Sequence, residues 1–196
     1  MRTIAVAILA AGESRRMGQP KALVQIEGLT FVEHLLAATR HPRIGITRVV
    51  LGAGFEAVQR QLNVPPEWLV NNENWREGQL SSIQAAIRSL APDEAEGILI
   101  CPVDHPLISG HLVARLVAEF DLRKKQIVLP THEGRRGHPV IFHSGLFEEL
   151  LAASPEVGAR QVVWAHPEQV AEVPTDEIGI TLNLNDPETL GKIPGR

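Results

Sequence analysis

The sequence has little cysteine and few aromatic residues. Of its 196 residues one is cysteine and none is tyrosine, and aromatic side chains make up 4%. Because a lone cysteine cannot form an internal disulfide, a disulfide-stabilised fold is excluded. Cys101 lies within an apolar segment, so we expect a buried, inert thiol and not a nucleophile. This cysteine usage fits a reducing compartment, and we expect a cytoplasmic protein.

Long apolar runs and an excess of positive charge are also absent. The longest apolar run, residues 4–11, is far shorter than the roughly 20 residues that a membrane helix needs. It continues directly into charged residues, which is not the pattern of a signal peptide. The formal net charge of -4 argues against a broad basic face for nucleic acid. We therefore expect a monomer with no membrane or nucleic-acid partner, in which any phosphate site is local.

Short apolar runs of strand length alternate with helical patterns along the chain. The runs lie at residues 3–9, 47–51, 68–71, 97–101 and 126–130, and helical patterns cover residues 31–40, 78–91 and 111–120. Shorter helical and strand segments follow Pro139. This alternation predicts an α/β fold, a mostly parallel sheet inside a three-layer α/β/α sandwich. No repeat or linker divides residues 1–196, which we expect to form one domain, with its sites at the carboxyl ends of the strands.

The loop after the first predicted strand, "AAGESRRMGQPKAL", is rich in glycine and positive charge. Gly12 and Gly18 allow backbone amides to approach a ligand, and Arg15, Arg16 and Lys21 can balance several negative charges. The loop is not a Walker A loop, and the G-x-G-x-x-G dinucleotide fingerprint is absent. Its composition favours a triphosphate site over the alternative, a solvated basic loop.

Candidate metal ligands follow later strands. Asp104 lies between two prolines after a buried run, where a carboxylate suits Mg²⁺ shared with substrate phosphates. The alternative is that Asp104 caps a helix, although Ser109 is the better cap. Asn183 and Asn185 are two residues apart, so on an extended segment their side chains would point the same way and could share one ion. We expect Asp186 to cap the short helix that follows.

Two further segments carry polar side chains at positions suited to binding. "NNENWREGQLSSI" places amides and hydroxyls at a strand end and a helix start, where they can contact a base or ribose, although its serines could also be simple caps. Trp75 in this segment could stack on a ring or pack against the fold. In "HEGRRGHPVIF", Arg135, Arg136 and His138 could receive an anionic acceptor, and the alternative is a solvated hairpin.

Five segments together resemble one family. "LAAGESRRMGQPKAL", "NENWREGQLSSIQAAI", "CPVDHP", "GRRGHPVIF" and "NLNDPETL" resemble the MobA-like nucleotidyltransferases over residues 8–190. They are most similar to the molybdenum-cofactor cytidylyltransferases, because Ala11 stands where the guanylyltransferases tend to carry glycine. The resemblance implies a Rossmann-like sandwich of the nucleotide-diphospho-sugar transferase type. It also implies Mg²⁺-dependent transfer of CMP from CTP to the phosphate of a molybdopterin-type cofactor, with release of pyrophosphate.

The resemblance implies roles for individual residues as well. Lys21 and Arg16 would offset the charge of the leaving pyrophosphate, and Asp104 would hold Mg²⁺. Further candidates for the metal are Asn183 and Asn185, and those for the acceptor are Arg136 and His138. The residues expected to bind the nucleotide are Leu9, Ala10, Ala11, Gly12, Ser14, Arg16, Lys21, Asn72, Gln79, Ser81 and Ser82.

Other functions are compatible with the same residues. A guanylyltransferase or a sugar-phosphate nucleotidyltransferase would share the phosphate loop and differ in the nucleotide or acceptor pocket. A non-catalytic module that delivers nucleotide or pterin to a recipient molybdoenzyme would bind nucleotide without releasing pyrophosphate. A dinucleotide-dependent oxidoreductase is disfavoured by the missing glycine fingerprint.

Overall fold

The computed structural model describes residues 3–123 and 125–191. The strands are β1 (Ile4–Leu9), β2 (Gln25–Ile26), β3 (Leu29–Thr30), β4 (Ile44–Leu51), β5 (Leu69–Asn71), β6 (Gly97–Pro102), β7 (Ile127–His132), β8 (Arg135–Arg136), β9 (Val140–His143) and β10 (Val170–Pro174). The helices are α1 (Phe31–Ala38), α2 (Phe55–Gln59), α3 (Gln79–Arg88), α4 (Gly110–Arg123), α5 (Phe147–Ala152), α6 (Arg160–Ala165) and α7 (Pro187–Gly191).

One large sheet forms the centre of the molecule. Its strand order is β10-β7-β9-β6-β1-β4-β5, with β8 paired to β7, while β2 and β3 form a separate hairpin. The pairs among β10, β7, β6, β1, β4 and β5 are parallel, whereas β9 runs antiparallel to both of its neighbours. Residues 133–139, which lead from β7 to β9, are too few for the crossover that a parallel pair requires. The mostly parallel sheet is confirmed, and its antiparallel member follows from a short connection.

The two faces of the sheet are each covered by helices. In β1, Ile4, Val6 and Ile8 face the layer that contains α1 and α4, while Ala5 and Ala7 face the layer that contains α3, α5 and α6. Both faces of the strand are fully buried, which explains why its sequence is continuously apolar and not alternating. The predicted three-layer sandwich is therefore confirmed.

The helices largely follow the apolar patterns of the sequence. The apolar residues at helical spacing are buried in all three long helices. They are Phe31, Leu35 and Ala38 in α1, Leu80, Ile83 and Ile87 in α3, and Leu112, Val113, Leu116, Val117 and Phe120 in α4. Helix α3 ends at Arg88, three residues before the end of the helical pattern over residues 78–91. Ser89 follows the helix, and its hydroxyl donates to the Ala86 carbonyl at 2.7 Å. The β2–β3 hairpin and α2 were not predicted, since their segments are too short to show a period.

Capping residues define several helix starts. Ser109 accepts the backbone N–H of Leu112 at 3.0 Å at the start of α4, and Asp186 accepts that of Thr189 at 2.8 Å at the start of α7. Both caps confirm the sequence-based expectation and leave Asp104 free of a capping role. At α1, Thr30 and Glu33 form a reciprocal capping box, and hydrogen bonds from Thr30 lower the pKa of Glu33.

Two expectations from the composition concern Cys101 and membrane-spanning helices. Cys101 is buried in β6, and burial raises the pKa of its thiol, which keeps it protonated and unreactive. Within residues 3–123 and 125–191, no helix has the length and apolar character needed to span a bilayer.

Candidate active site

The loop that follows β1 is folded back on itself at the carboxyl edge of the sheet. Ser14 adopts a left-handed conformation with φ 57°, and Gly18 does the same with φ 73°. The Ser14 hydroxyl accepts the backbone N–H of Lys21 at 3.1 Å and donates to the Gly12 carbonyl at 3.3 Å. Met17 is buried beneath the loop. The loop is thereby preorganised, so that little ordering entropy remains to be lost when it binds a ligand.

Lys21 brings three separate loops together. Its Nζ donates to Asn185 Oδ1 at 2.5 Å and lies 3.8 Å from Asp104 Oδ2. Asp104 follows β6, and its backbone carbonyl accepts the N–H of Leu184 at 2.9 Å. Lysine, carboxylate and asparagine therefore converge beyond the ends of the neighbouring strands β1 and β6. A cation beside a carboxylate at a strand edge suits the combined binding of phosphates and a divalent metal.

A cleft of about 240 Å³ lies between this loop and the start of α3. Its walls are Leu9, Ala10, Ala11, Gly12, Ser14, Lys21, Trp75, Gly78, Gln79, Ser82, Pro102, Val103 and Asp104. Most of the residues expected to bind the nucleotide are thus brought to one place. The amino-terminal end of α3 faces the same cleft, where its backbone N–H groups favour negative charge.

Asn72 and Ser81 lie behind that cleft, not on its walls. Asn72 is 4% exposed and donates from Nδ2 to the hydroxyls of Ser81 at 2.8 Å and Ser82 at 3.0 Å. Its Oδ1 accepts the N–H of Asn74 at 3.0 Å. The residue before α3 is Gly78 and no side chain caps it, so neither serine is a helix cap. This network fastens the loop after β5 to α3, and of its members Ser82 reaches the cleft.

Trp75 forms an aromatic side of the cleft. It packs directly over Gly52, where a Cβ atom would lie 2.6 Å from Trp75 Cβ and 2.8 Å from the Ala11 carbonyl oxygen. The Arg76 guanidinium lies 4.5 Å from the centre of its ring on the outer side. Packing and cleft lining are therefore both roles of Trp75, whose ring position depends on the absence of a side chain at residue 52.

The two arginines of the first loop do not line the cleft. Arg15 pairs with Glu13 at 2.8 Å on the surface, and Arg16 is exposed and is not among the cleft residues. Of the cations in this loop, Lys21 is the one that the fold holds in place.

A second cleft of about 630 Å³ adjoins the first and shares Gln79, Pro102 and Asp104 with it. Its floor is apolar and is formed by Leu80, Ile83, Ile100, Leu129, Val140 and Phe142. Both residues expected to bind the acceptor line this cleft, together with Arg135 and Asn183. Arg136 also pairs with Glu172 on β10 at 2.7 Å, which holds β8 against the sheet edge.

His138 is an electrically neutral member of this cleft. Burial and the neighbouring His105 lower the pKa of His138 to about 4, opposed by the charge of Asp104. Its backbone N–H donates to the Ile180 carbonyl at 2.9 Å, and its buried Nδ1 has no hydrogen-bond partner among the described residues. The positive charge of the predicted cationic loop therefore lies on its arginines and not on His138.

One wall of the second cleft was missed by the sequence analysis. Residues 155–160, Val163 and Trp164, from α6 and the loop before it, line the side opposite the sheet. The helical pattern of this segment was recognised, but a pattern shows which residues are apolar and not which cleft they face.

The oxygen donors near Asp104 fit a hard divalent cation. Asp104, Asn183 and Asn185 offer carboxylate and amide oxygens, and these suit Mg²⁺ or Mn²⁺. Asn185 is already bound to Lys21, whereas Asn183 is exposed to the second cleft. Among the described residues no cluster of three His, Cys, Asp or Glu side chains could hold a metal. The protein part of such a site is therefore sparse, as expected for an ion that shares its ligands with phosphates.

Comparison with solved structures shows a shared fold. Rv0371c from Mycobacterium tuberculosis H37Rv matches with a TM-score of 0.84 and 23% identity over 97% of this chain and 96% of that chain. A complex of Rv0371c with manganese matches with a TM-score of 0.76 and 22% identity over 96% of both chains.

Comparison with curated proteins finds relatives with different names. The probable molybdenum cofactor guanylyltransferase of Bacillus cytotoxicus is 29% identical over 154 residues, 76% of this chain and 73% of that protein. Nicotine blue oxidoreductase of Paenarthrobacter nicotinovorans is 32% identical over 166 residues, 78% of both. The molybdenum cofactor cytidylyltransferase of Escherichia coli is 23% identical over 189 residues, 95% of this chain and 94% of that protein. Residues 6–170 match the MobA-like NTP transferase domain, and the chain therefore belongs to this family of nucleotidyltransferases.

Proposed function

We propose that the protein transfers CMP from CTP to the phosphate of a molybdopterin-type acceptor, with a divalent metal, and releases pyrophosphate. The observation that carries this proposal is the meeting of two clefts at Asp104, beside the cation of Lys21. One cleft has a glycine-rich loop and a helix start suited to phosphates, and the other has an apolar floor with arginines at its edge. Two substrates can therefore approach each other at a charged junction.

The reaction needs no protein nucleophile. An oxygen of the acceptor phosphate forms a bond to the α-phosphorus of CTP, and the bond from that phosphorus to the bridging oxygen of the β-phosphate breaks. Pyrophosphate leaves with the electron pair. Lys21 is placed to offset the growing negative charge, and the backbone amides of the first loop and of α3 orient the phosphates.

Asp104 and Asn183 are the side chains that we propose for the metal. A bound Mg²⁺ or Mn²⁺ supplies charge neutralisation at the phosphates. Support comes from the oxygen chemistry of these side chains and from the manganese complex of a protein with the same fold. Asn185 is better explained as a partner of Lys21, whose Nζ it binds.

The preference for CTP rests on Ala11. This residue is buried, its carbonyl accepts the N–H of Ala53 at 2.9 Å, and it lies on the wall of the nucleotide cleft beside Trp75. The preference comes from the sequence resemblance, in which alanine at this position is typical of cytidylyltransferases and glycine of guanylyltransferases. Relatives with both nucleotide preferences in their names make this the first point to test.

The test is an assay of pyrophosphate release with each of the four ribonucleoside triphosphates, with and without molybdopterin. We expect acceptor-dependent release with CTP in Mg²⁺ or Mn²⁺ and none after chelation of the metal. Release with GTP in place of CTP would identify a guanylyltransferase. Nucleotide binding without release under every condition would instead indicate a delivery module and overturn the proposal.

One relative carries the name of an oxidoreductase and defines a second activity to test. Nicotine blue oxidoreductase is 32% identical, so oxidation of a reduced nicotinamide dinucleotide should be measured in parallel. We expect none, because the glycine fingerprint of dinucleotide-binding folds is absent from the sequence.

We further propose that the protein is a cytoplasmic monomer and that it passes its product to a molybdoenzyme. Light scattering measures its oligomeric state, and cell fractionation measures its localisation.

A further inference from the structure

Helix α6 and the loop before it form a firm wall of the second cleft. The backbone N–H groups of Val157 and Gly158 donate to the Ser154 carbonyl, and the Ser154 N–H donates to Gln161 Oε1 at 3.0 Å. Val162 is buried in the core, and His166, just after α6, pairs with Glu149 of α5 at 2.7 Å. The wall is therefore held by hydrogen bonds at Ser154, before α6, and by the His166–Glu149 pair after it.

Three side chains of this short helix face the cleft. Arg160, Val163 and Trp164 all line it, and their spacing of i, i+3 and i+4 places them on one face of α6, while Val162 anchors another face in the core. Trp164 is 63% exposed. A large aromatic side chain that is left uncovered at the edge of a cleft can cover a bound ring at low entropic cost.

Besides a ring for Trp164 to cover, the charged side chains of the cleft favour a ligand with charged groups. Three arginines, Arg135, Arg136 and Arg160, line it together with two carboxylates, Asp104 and Glu156. In the part of the chain that the structure describes, neither Arg135 nor Arg160 has an ion-pair partner. The floor is apolar and the volume of about 630 Å³ suits a medium-sized organic molecule. The apolar floor suits a flat ring, and the arginines at the edge suit anionic groups attached to it.

We propose that Trp164 stacks on the planar heteroaromatic ring of the acceptor and that Arg160 binds an anionic group beside that ring, while the acceptor phosphate lies at the Asp104 end. This inference rests on the proposed function for the identity of the acceptor. It assigns specificity for the ring to α6, a part of the chain in which the sequence analysis placed no substrate contact.

The first test follows the fluorescence of Trp164 and needs no catalysis. The chain has three tryptophans, so the variant Trp68→Phe/Trp75→Phe leaves Trp164 as the reporter. Pterin-6-carboxylate should quench its emission along a saturating curve, and inorganic phosphate should not. Arg160→Gln in this background should weaken the apparent pterin affinity by about three- to tenfold.

A matched control separates binding from collisional quenching. Leu122 is 78% exposed at the end of α4 and does not line either cleft, so Leu122→Trp with the other three tryptophans replaced by phenylalanine supplies an exposed reporter elsewhere. Its emission should fall without saturation. The same unsaturated decline for Trp164, or saturation unaffected by Arg160→Gln, would overturn the proposal.

The second test is kinetic and uses the natural tryptophans at the other positions. Trp164→Ala should raise the acceptor KM roughly tenfold, and Trp164→Phe, which keeps a ring, less than about threefold. In both variants kcat and the CTP KM should change by less than about twofold. Ile178→Ala, which also removes an exposed apolar side chain, serves as the control. An unchanged acceptor KM in Trp164→Ala would contradict the assignment.

The two proposals can fail separately. If no nucleotide gives pyrophosphate release and the Trp164 titration still saturates, the proposed transfer is wrong and the ring site stands. If transfer occurs and the titration does not saturate, the transfer stands and the ring site is wrong.

Discussion

Lys21 shows how a single side chain acquires a function from its surroundings. In sequence it is one of three cations in a glycine-rich loop. In the structure its ammonium group lies between Asn185 and Asp104, while Arg15 and Arg16 remain on the surface. The lysine is thus held at the junction of two clefts, where a fixed cation is worth more to a phosphate reaction than a mobile one.

Removal of either charge at this junction should abolish most turnover and leave the fold intact. We expect Lys21→Ala and Asp104→Ala each to lower kcat by a factor on the order of 100 or more in the pyrophosphate assay. Thermal unfolding should shift little, because the backbone hydrogen bonds at both positions remain. Arg88→Ala removes an exposed cation at the end of α3 and is the control. Near-normal rates in both variants would refute the proposed site.

The two asparagines near the carboxyl terminus should differ in their dependence on metal. Asn185 binds Lys21, so Asn185→Ala should lower kcat about tenfold without changing the Mg²⁺ concentration for half-maximal activity. Asn183 faces the second cleft, and Asn183→Ala should raise that concentration severalfold. The measurement is a Mg²⁺ titration of initial rates. The opposite pattern would make Asn185 the metal ligand.

At the scale of the element, the start of α3 is positioned by a buried network and not by a cap. Asn72 uses its amide to join two serine hydroxyls and a backbone N–H, so that the loop after β5 and the helix move as one unit. The helix end that faces the first cleft is therefore held in place by hydrogen bonds before any ligand binds. A preorganised helix start loses less entropy on binding phosphates than a frayed one.

Asn72→Ala tests this network. It leaves the Ser82 hydroxyl and the Asn74 backbone N–H without their Asn72 partner, whereas the Ser81 hydroxyl still donates to the Gly78 carbonyl. We expect the free energy of unfolding in urea to fall by about 1–3 kcal/mol. The KM for CTP should rise in parallel, because the loop and α3 are no longer joined. Asn74→Ala is the matched control, since Asn74 is exposed and takes part through its backbone N–H, and it should change stability by less than about 0.5 kcal/mol.

At the scale of the whole molecule, a group of ion pairs lies at the edge of the sheet opposite the two clefts. The clefts lie at the carboxyl ends of the parallel strands, whereas Arg43 lies just before β4, at their amino ends. Arg43 pairs with Asp121 at 2.6 Å and with Glu96 at 2.9 Å, and these carboxylates raise its pKa. The ion group ties α4 to the turns before β4 and β6.

Arg43→Met should therefore destabilise the protein without altering its chemistry. The Arg43 side chain is 14% exposed, and its loss leaves two carboxylates close together, so we expect a cost of about 2 kcal/mol, below that of a fully buried pair. The free energy of unfolding and kcat should be measured together, with Arg40→Ala, an exposed neighbour, as the control. A fall in kcat at a temperature where the variant is folded would contradict this separation.

Local patterns were sufficient for much of the architecture. Continuous apolar runs predicted the buried strands, apolar residues at helical spacing predicted the covered faces of α1, α3 and α4, and Ser109 and Asp186 predicted two caps. These features depend on neighbours within a few residues, which the sequence displays directly. The β2–β3 hairpin and α2 were missed, because short segments show no period. The strand after Pro139 was predicted, but its antiparallel direction was not, because pairing direction depends on connection length.

The chemical types of the site residues could be identified from the sequence, but their proximity in space depends on the tertiary structure. A glycine-rich basic loop, a carboxylate after a strand and a pair of asparagines are types that local chemistry relates to phosphates and metal. Strand order then brought Lys21 within reach of Asn185, 164 residues away, left Arg16 outside the cleft and buried His138 in its neutral form. It also turned Trp164 toward a second cleft. Such outcomes follow from packing among distant segments, which no local period encodes.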